Sequence, residues 1–359
     1  MKGKGKVSEI FKVTLSSLLF ITAVLSVIYR LPQCFNSENP ALMAASFTLA
    51  DGKYKPETQK PTQATEQTTP VSTQEVIITE NTKPKLRDKS GYYDSYAKHE
   101  GEAKYAVEER YIGQTGTSVE NCYVKNKTGL EIDFLESLNS PLTFEVEKNS
   151  ESPQVLIYHT HTSESYMDED VDYFYESYYS RTQNTDFSVV SVGNILAERL
   201  NEKGIKTIHD TTVHDSTYNG SYDRSVQTVE SNMNEYEDIK VVLDIHRDAI
   251  GTDECKVKPV FTYDGKKGSQ IMILSGCDYY GEMDFEGWQN NLKFAMKLQN
   301  TAETMYPGMT RPLSFDYFAY NEYVCDGSLL IEVGAEANSI EQSEYVAELL
   351  ANVIYEVLK

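Results

Sequence analysis

Three short, almost unbroken apolar runs constrain this chain more than anything else in it: Val155–Tyr158, Lys240–Ile245 and Ser328–Val333. Strands buried on both faces read this way, without the alternation of a half-solvated sheet. Helical patterns lie between them. Val189–Leu200 places apolar residues at i, i+3 and i+7 and is followed by Lys203-Gly204, a C-terminal stop signal. Arg224–Tyr236 and Asn290–Tyr306 also read as helices, the second halted by Pro307-Gly308, and Ile340–Leu358 reads as a C-terminal amphipathic helix. Further strands are expected at Ile205–Ile208, Val257–Tyr263 and Gln270–Leu274. Strands alternating with helices predict an α/β fold, a mainly parallel sheet with helices on both faces.

Each apolar run ends in residues suited to metal chemistry. Val155–Tyr158 leads into His159-Thr160-His161-Thr162-Ser163-Glu164, Val241–Ile245 into His246-Arg247-Asp248, and Leu329–Ile331 into Glu332. In a parallel sheet such ends share one edge, where α/β folds gather their reactive groups. The long intervals between them point to ligands from separate strands rather than an HExxH helix. A catalytic zinc takes three protein ligands and leaves one position open. His161 and His246 are the expected ligands and Glu332 the general base. The third ligand is open between Asp186, the first choice, just ahead of the Val189 helix, and Glu164, the second. His159 reads as a supporting group or a satisfied core histidine. Asp244, on the opposite face from Ile245, is placed to orient a ligand. Arg247 has the shape to bind a substrate carboxylate, or to pair with Asp248. The chain has no GxSxG elbow, Walker loop or dinucleotide-binding glycine fingerprint.

The N-terminal part is not globular in composition. Lys2, Lys4 and Lys6 precede an apolar run from Ile10 to Tyr29, and about 20 such residues suffice to cross a bilayer. The basic flank sets the rest of the chain outside the cytoplasm; a cleaved signal peptide is the alternative. Asp51–Arg87 is rich in Thr, Gln, Pro, Glu and Lys, the composition of a disordered tether. As a coil, about ninety residues span about 50 Å. The domains expected are a tail and transmembrane anchor over 1–32, a flexible linker over 33–117 and a catalytic domain over 118–359. The net charge of −22 offers no basic footprint for nucleic acid. Five scattered cysteines without a CxxC pair exclude a zinc ribbon and read as free thiols, with a single bridge outside the cytoplasm as the alternative.

Several blocks resemble the stage II sporulation protein P family. They are Val155–Tyr166, Tyr218–Ser225, Leu243–Ala249, Trp288–Lys293, and Leu330–Ala335 with Asn338, in the family's order. The resemblance covers the chain from about Cys122 to the C-terminus. It implies a zinc-dependent cell-wall hydrolase of endospore-forming bacteria, similar to the amidase-3 type of N-acetylmuramoyl-L-alanine amidase, with a related α/β fold. The implied activities are cleavage of the amide between glycan and stem peptide, and endopeptidase cleavage of cross-links during engulfment. The implied partners are peptidoglycan and stage II sporulation proteins D and M. The implied location is the cell membrane, with the catalytic domain between the mother-cell and forespore membranes. By this resemblance the amidase ligand histidines fall on His161 and His246 and the catalytic glutamate on Glu332, while the remaining ligand falls near Asp186. A non-catalytic wall-binding scaffold and a zinc carboxypeptidase acting on stem peptides are the alternatives.

Overall fold

The computed structural model describes residue 87 and residues 100–113 and 115–359. The apolar run Ile10–Tyr29, nearly all of the Thr- and Gln-rich tether, Cys34 and His99 lie outside the described residues. Among the described residues, no helix is long and apolar enough to cross a membrane.

The strands are β1 (Lys104–Arg110), β2 (Thr117–Val119), β3 (Cys122–Asn126), β4 (Val155–Tyr158), β5 (Tyr173–Tyr175), β6 (Thr207–His209), β7 (Val241–Asp248), β8 (Cys255–Tyr263), β9 (Lys266–Ser269), β10 (Ile271–Gly276), β11 (Leu313–Asp316) and β12 (Gly327–Ala335). The helices are α1 (Phe134–Asn139), α2 (Val189–Glu202), α3 (Ser221–Glu235), α4 (Trp288–Met305) and α5 (Ile340–Leu358). Eight strands form the main sheet, in the order β2-β3-β11-β10-β12-β7-β4-β6. β12, β7, β4 and β6 pair in parallel, as the apolar runs predict. β10 meets β12 antiparallel, and β11 and β3 then continue parallel to β10. The reversal has a local cause. No crossover helix separates β7 from β10; the chain passes through the β8–β9 hairpin, and Gln270 alone joins β9 to β10. Only a crossover would return the chain parallel.

A second, four-stranded sheet has the order β5-β1-β8-β9. It corrects the expected linker boundary, because Lys104–Arg110 lies within 33–117 yet pairs in parallel with β8 and antiparallel with β5. Only Val107 of this strand is buried, so its polar sequence carries no strand signal. The stretch Met167–Glu176, dense in Asp, Glu and Tyr, is tied into the fold. Met167 N–H donates to Asn338 O, Ile340 N–H donates to Met167 O, and Tyr173–Tyr175 pairs with β1.

One face of the main sheet carries most of the core. Ile157, Leu243 and Ile331 lie fully buried with residues of α1, α2, α4 and α5, and truncating such a residue to alanine costs about 2–5 kcal/mol. Local signals agree with this packing. Ser188 caps α2 through Val190 N–H, and Ser339 with Gln342 forms a capping box on α5. On the opposite face α3 packs through Val229 against Leu156, Tyr158 and Val242. These are residues of β4 and β7, so a stretch of this face over β12 and β10 has no helix in its apolar cluster. The buried Asn291 amide helps hold the connection that crosses there, donating to Glu322 O, Cys325 O and Ser328 O.

Candidate active site

Alternation along a strand puts Asp244 and His246 of β7 on the same face as Leu330 and Glu332 of β12. The register sets Glu332 directly beside His246 and Leu330 beside Asp244. This is the face that α3 only partly covers. β4 ends one strand away, and its following turn delivers His161. Asp244 pins that turn by accepting from Thr160 N–H at 2.9 Å and Thr160 Oγ1 at 2.6 Å. Glu164 N–H then donates back to His161 O at 3.0 Å.

The two expected ligand histidines meet edge to face, with ring centroids 5.3 Å apart. His161 Nδ1 is buried without a hydrogen-bond partner. Tyr218 stacks on its ring at 4.7 Å and Tyr222 meets the ring edge at 5.8 Å. Burial holds His161 down at about 4, against the pull of Glu164, so its imidazole is neutral and has a free lone pair at neutral pH. His246 behaves oppositely. Burial lowers it, but Asp244 and Glu164 together outweigh burial and hold it well above the ordinary range. Asp244 Oδ1 lies 2.9 Å from His246 Nε2 and Glu164 Oε2 lies 3.4 Å from His246 Nδ1.

The carboxylate between the histidines is Glu164. Burial alone would raise it, yet Arg247, His246 and His161 hold it well below the usual carboxylate range. Asp186, the first-choice ligand, sits half-buried in the 3₁₀ turn Thr185–Phe187, its N–H donating to the Asn184 side chain. The leading charges acting on His161 are those of Glu164, His246, Arg181 and Asp244, and Asp186 is not among them. Glu332 is half-buried, and its Oε2 is shielded and has no hydrogen-bond partner. Burial pushes its carboxyl up to about 8, with Asp248 and Glu164 adding to the rise and His246 and Arg311 opposing it.

His159 faces elsewhere. Its Nδ1 lies 2.7 Å from Ile245 O and its Nε2 2.7 Å from His209 Nε2. This pair, His159 buried and His209 half-buried, rests on α2 at Gly193, where an added Cβ would lie 2.5 Å from His209 Nε2 and 2.8 Å from His159 Nε2. Gly193→Ala is therefore expected to destabilise the protein by about 1–3 kcal/mol, read as a lowered midpoint in denaturant unfolding. Arg247 is not available to substrate: its guanidinium donates to Ser165 O, Ser180 O and Oγ, and Asp248 O. Tyr218 and Tyr222, which pack on the His161 ring, are not singled out by spacing alone, although both belong to a block that carries the family resemblance.

Among the described residues, no three His, Cys, Asp or Glu side chains form a group that could hold a metal ion as they stand. The residue types present are nevertheless those zinc takes. Two imidazoles and a carboxylate are zinc ligands by type, and His161 contributes a buried nitrogen with no partner. The 3.4 Å between Glu164 Oε2 and His246 Nδ1 is close to the edge of about 3.3 Å between two ligands placed ~2.0–2.1 Å from a tetrahedral zinc.

The sequence profile of a family described as stage II sporulation protein P matches residues 33–355. Stage II sporulation protein P of Bacillus subtilis strain 168 is 26% identical over 220 residues, 56% of this chain and 50% of that protein. The chain thus matches about half the length of this curated relative. Among solved structures, the CwlD amidase of Clostridioides difficile, in complex with the GerS lipoprotein, superposes with a TM-score of 0.35 at 14% identity, covering 57% of this chain and 96% of that one. The apo N-acetylmuramyl-L-alanine amidase Ami1 of Mycobacterium abscessus gives 0.35 at 12%, covering 58% and 100%. The amidase AmiC2 of Nostoc punctiforme gives 0.32 at 11%, covering 57% and 94%. Likeness at these scores decides nothing about the site.

Proposed function

Because the chain belongs to the stage II sporulation protein P family, we propose that it is a zinc-dependent peptidoglycan hydrolase acting in engulfment. It cuts the N-acetylmuramoyl-L-alanine amide and peptide cross-links. The observation that carries this reading is the cluster of His161, His246 and Glu164 with Glu332 in register beside His246. The proposed ligands are His161, His246 and Glu164, the last in place of Asp186. A zinc ion held there supplies Lewis-acid polarisation of the scissile carbonyl and a more acidic water.

The chain's own residues do the rest. Asp244 faces His246 Nε2, which leaves Nδ1 turned toward Glu164. Glu332 takes the proton from the attacking water and returns it to the leaving nitrogen as the C–N bond breaks. Burial raises the Glu332 carboxyl above the usual range, toward the pH at which one group can both take up and return a proton. Tyr218 and Tyr222 keep bulk water from the His161 ring. The N-terminal apolar run holds the domain at the outer side of the membrane, and stage II sporulation proteins D and M are its proposed partners.

Metal content and wall products measured on one sample test this reading. The full-length chain is expected to hold one zinc and to release new L-alanine amino termini from purified wall. His161→Ala and His246→Ala are each expected to lose both. A chain without stoichiometric zinc would support the scaffold alternative. Free D-alanine without new L-alanine amino termini would support the carboxypeptidase.

A further inference from the structure

Arg311 is buried beside the site, with one edge of its guanidinium unused. Its side chain is 5% exposed, and Nη1 donates to Asp248 Oδ2 at 2.7 Å. Nε and Nη2 have no hydrogen-bond partner. The backbone holds the residue in place: its N–H donates to Ile271 O at 2.8 Å, its C=O accepts from Gln299 Nε2 at 3.1 Å, and Pro312 follows. Met272, the next residue after Ile271, is in register with Glu332, and both Arg311 and Asp248 are among the charges that act on Glu332.

An unfilled donor pair on a buried guanidinium is costly unless something accepts from it. Nε and Nη2 share one edge of the planar guanidinium and donate in parallel, the fork that matches a carboxylate in a bidentate manner. Lysine has no such fork. The guanidinium of Arg247 is consumed by Ser165, Ser180 and Asp248, so it does not fill this role.

On the hydrolase reading, we propose that Arg311 is an anion subsite beside Glu332 that takes a carboxylate of the wall's stem peptide through Nε and Nη2. Asp248 steadies the opposite edge and fixes the plane in which the fork points. The subsite therefore sets which part of the peptide lies against Glu332.

Titration calorimetry on the full-length chain tests this assignment. The probes are the stem tripeptide L-alanyl-γ-D-glutamyl-diaminopimelate and the same peptide with its carboxylates amidated. The acid is expected to bind about tenfold tighter or more. Arg311→Lys keeps the charge and the Asp248 contact but is expected to lose most of that preference. Equal binding of the two peptides by the unmodified chain would overturn the assignment, as would an unchanged preference in Arg311→Lys. Wall digestion is read separately. A chain that prefers the acid yet leaves wall uncut defeats the hydrolase reading and leaves the subsite standing.

Discussion

Glu332→Gln is expected to keep its zinc and lose turnover on wall by about 10²-fold or more, the scale of a lost general acid-base group. Glutamine preserves the shape of the side chain but cannot carry the proton from water to the leaving nitrogen. KM should change little, because Glu332 is assigned to the chemical step and not to holding substrate. Near-normal rates in this variant would refute the assignment.

The same substitution has a signature in the metal-free protein. The folded pKa of Glu332, about 8, stands above its unfolded value. Between those two values the unfolded chain has released the proton that the folded chain retains, so stability falls as pH rises across that window. Glu332→Gln removes this contribution. Its thermal midpoint should decline less than the parent's between pH 5 and pH 8, and a parallel decline would show that Glu332 is not the group responsible.

Glu164→Ala should be the most damaging single change at the site, while Asp186→Ala keeps full zinc occupancy. Glu164 is buried against His246, Arg181 and the Arg247 backbone and side chain. Removing it leaves His246 and Arg247 facing each other without their shared counter-charge. Breaking a buried pair from one side costs about 3–5 kcal/mol, so both the thermal midpoint and the bound zinc, read by mass spectrometry, are expected to drop. Full zinc in Glu164→Ala together with empty Asp186→Ala would return the ligand role to Asp186.

The difference between those two carboxylates shows what the sequence could and could not express. β4, β7 and β12 were legible because burial on both faces demands apolar runs, and the parallel pairing of neighbours brings their ends to one edge. Which carboxylate turns back toward the histidines depends on a turn, set by Asp244 on Thr160 and by Glu164 N–H on His161 O. Periodicity has no access to such a contact. Arg311 was hidden for a related reason. Its role comes from β10 and β11 lying side by side, and a single arginine before a proline carries no pattern. The small sheet was hidden by its composition, since β1 buries only Val107 and reads as solvated linker.

That small sheet also matters for how the domain bears load. β1 is the first strand among the described residues, so a pull passed along the chain through Lys104 loads it directly. Its residues from Ala106 to Arg110 are in register with β8, and those from Lys104 to Ala106 with β5. A pull along the strand axis strains the rungs on both sides together instead of opening them one at a time. Loaded in this direction, β1 is a shear contact held by β8 on one side and β5 on the other.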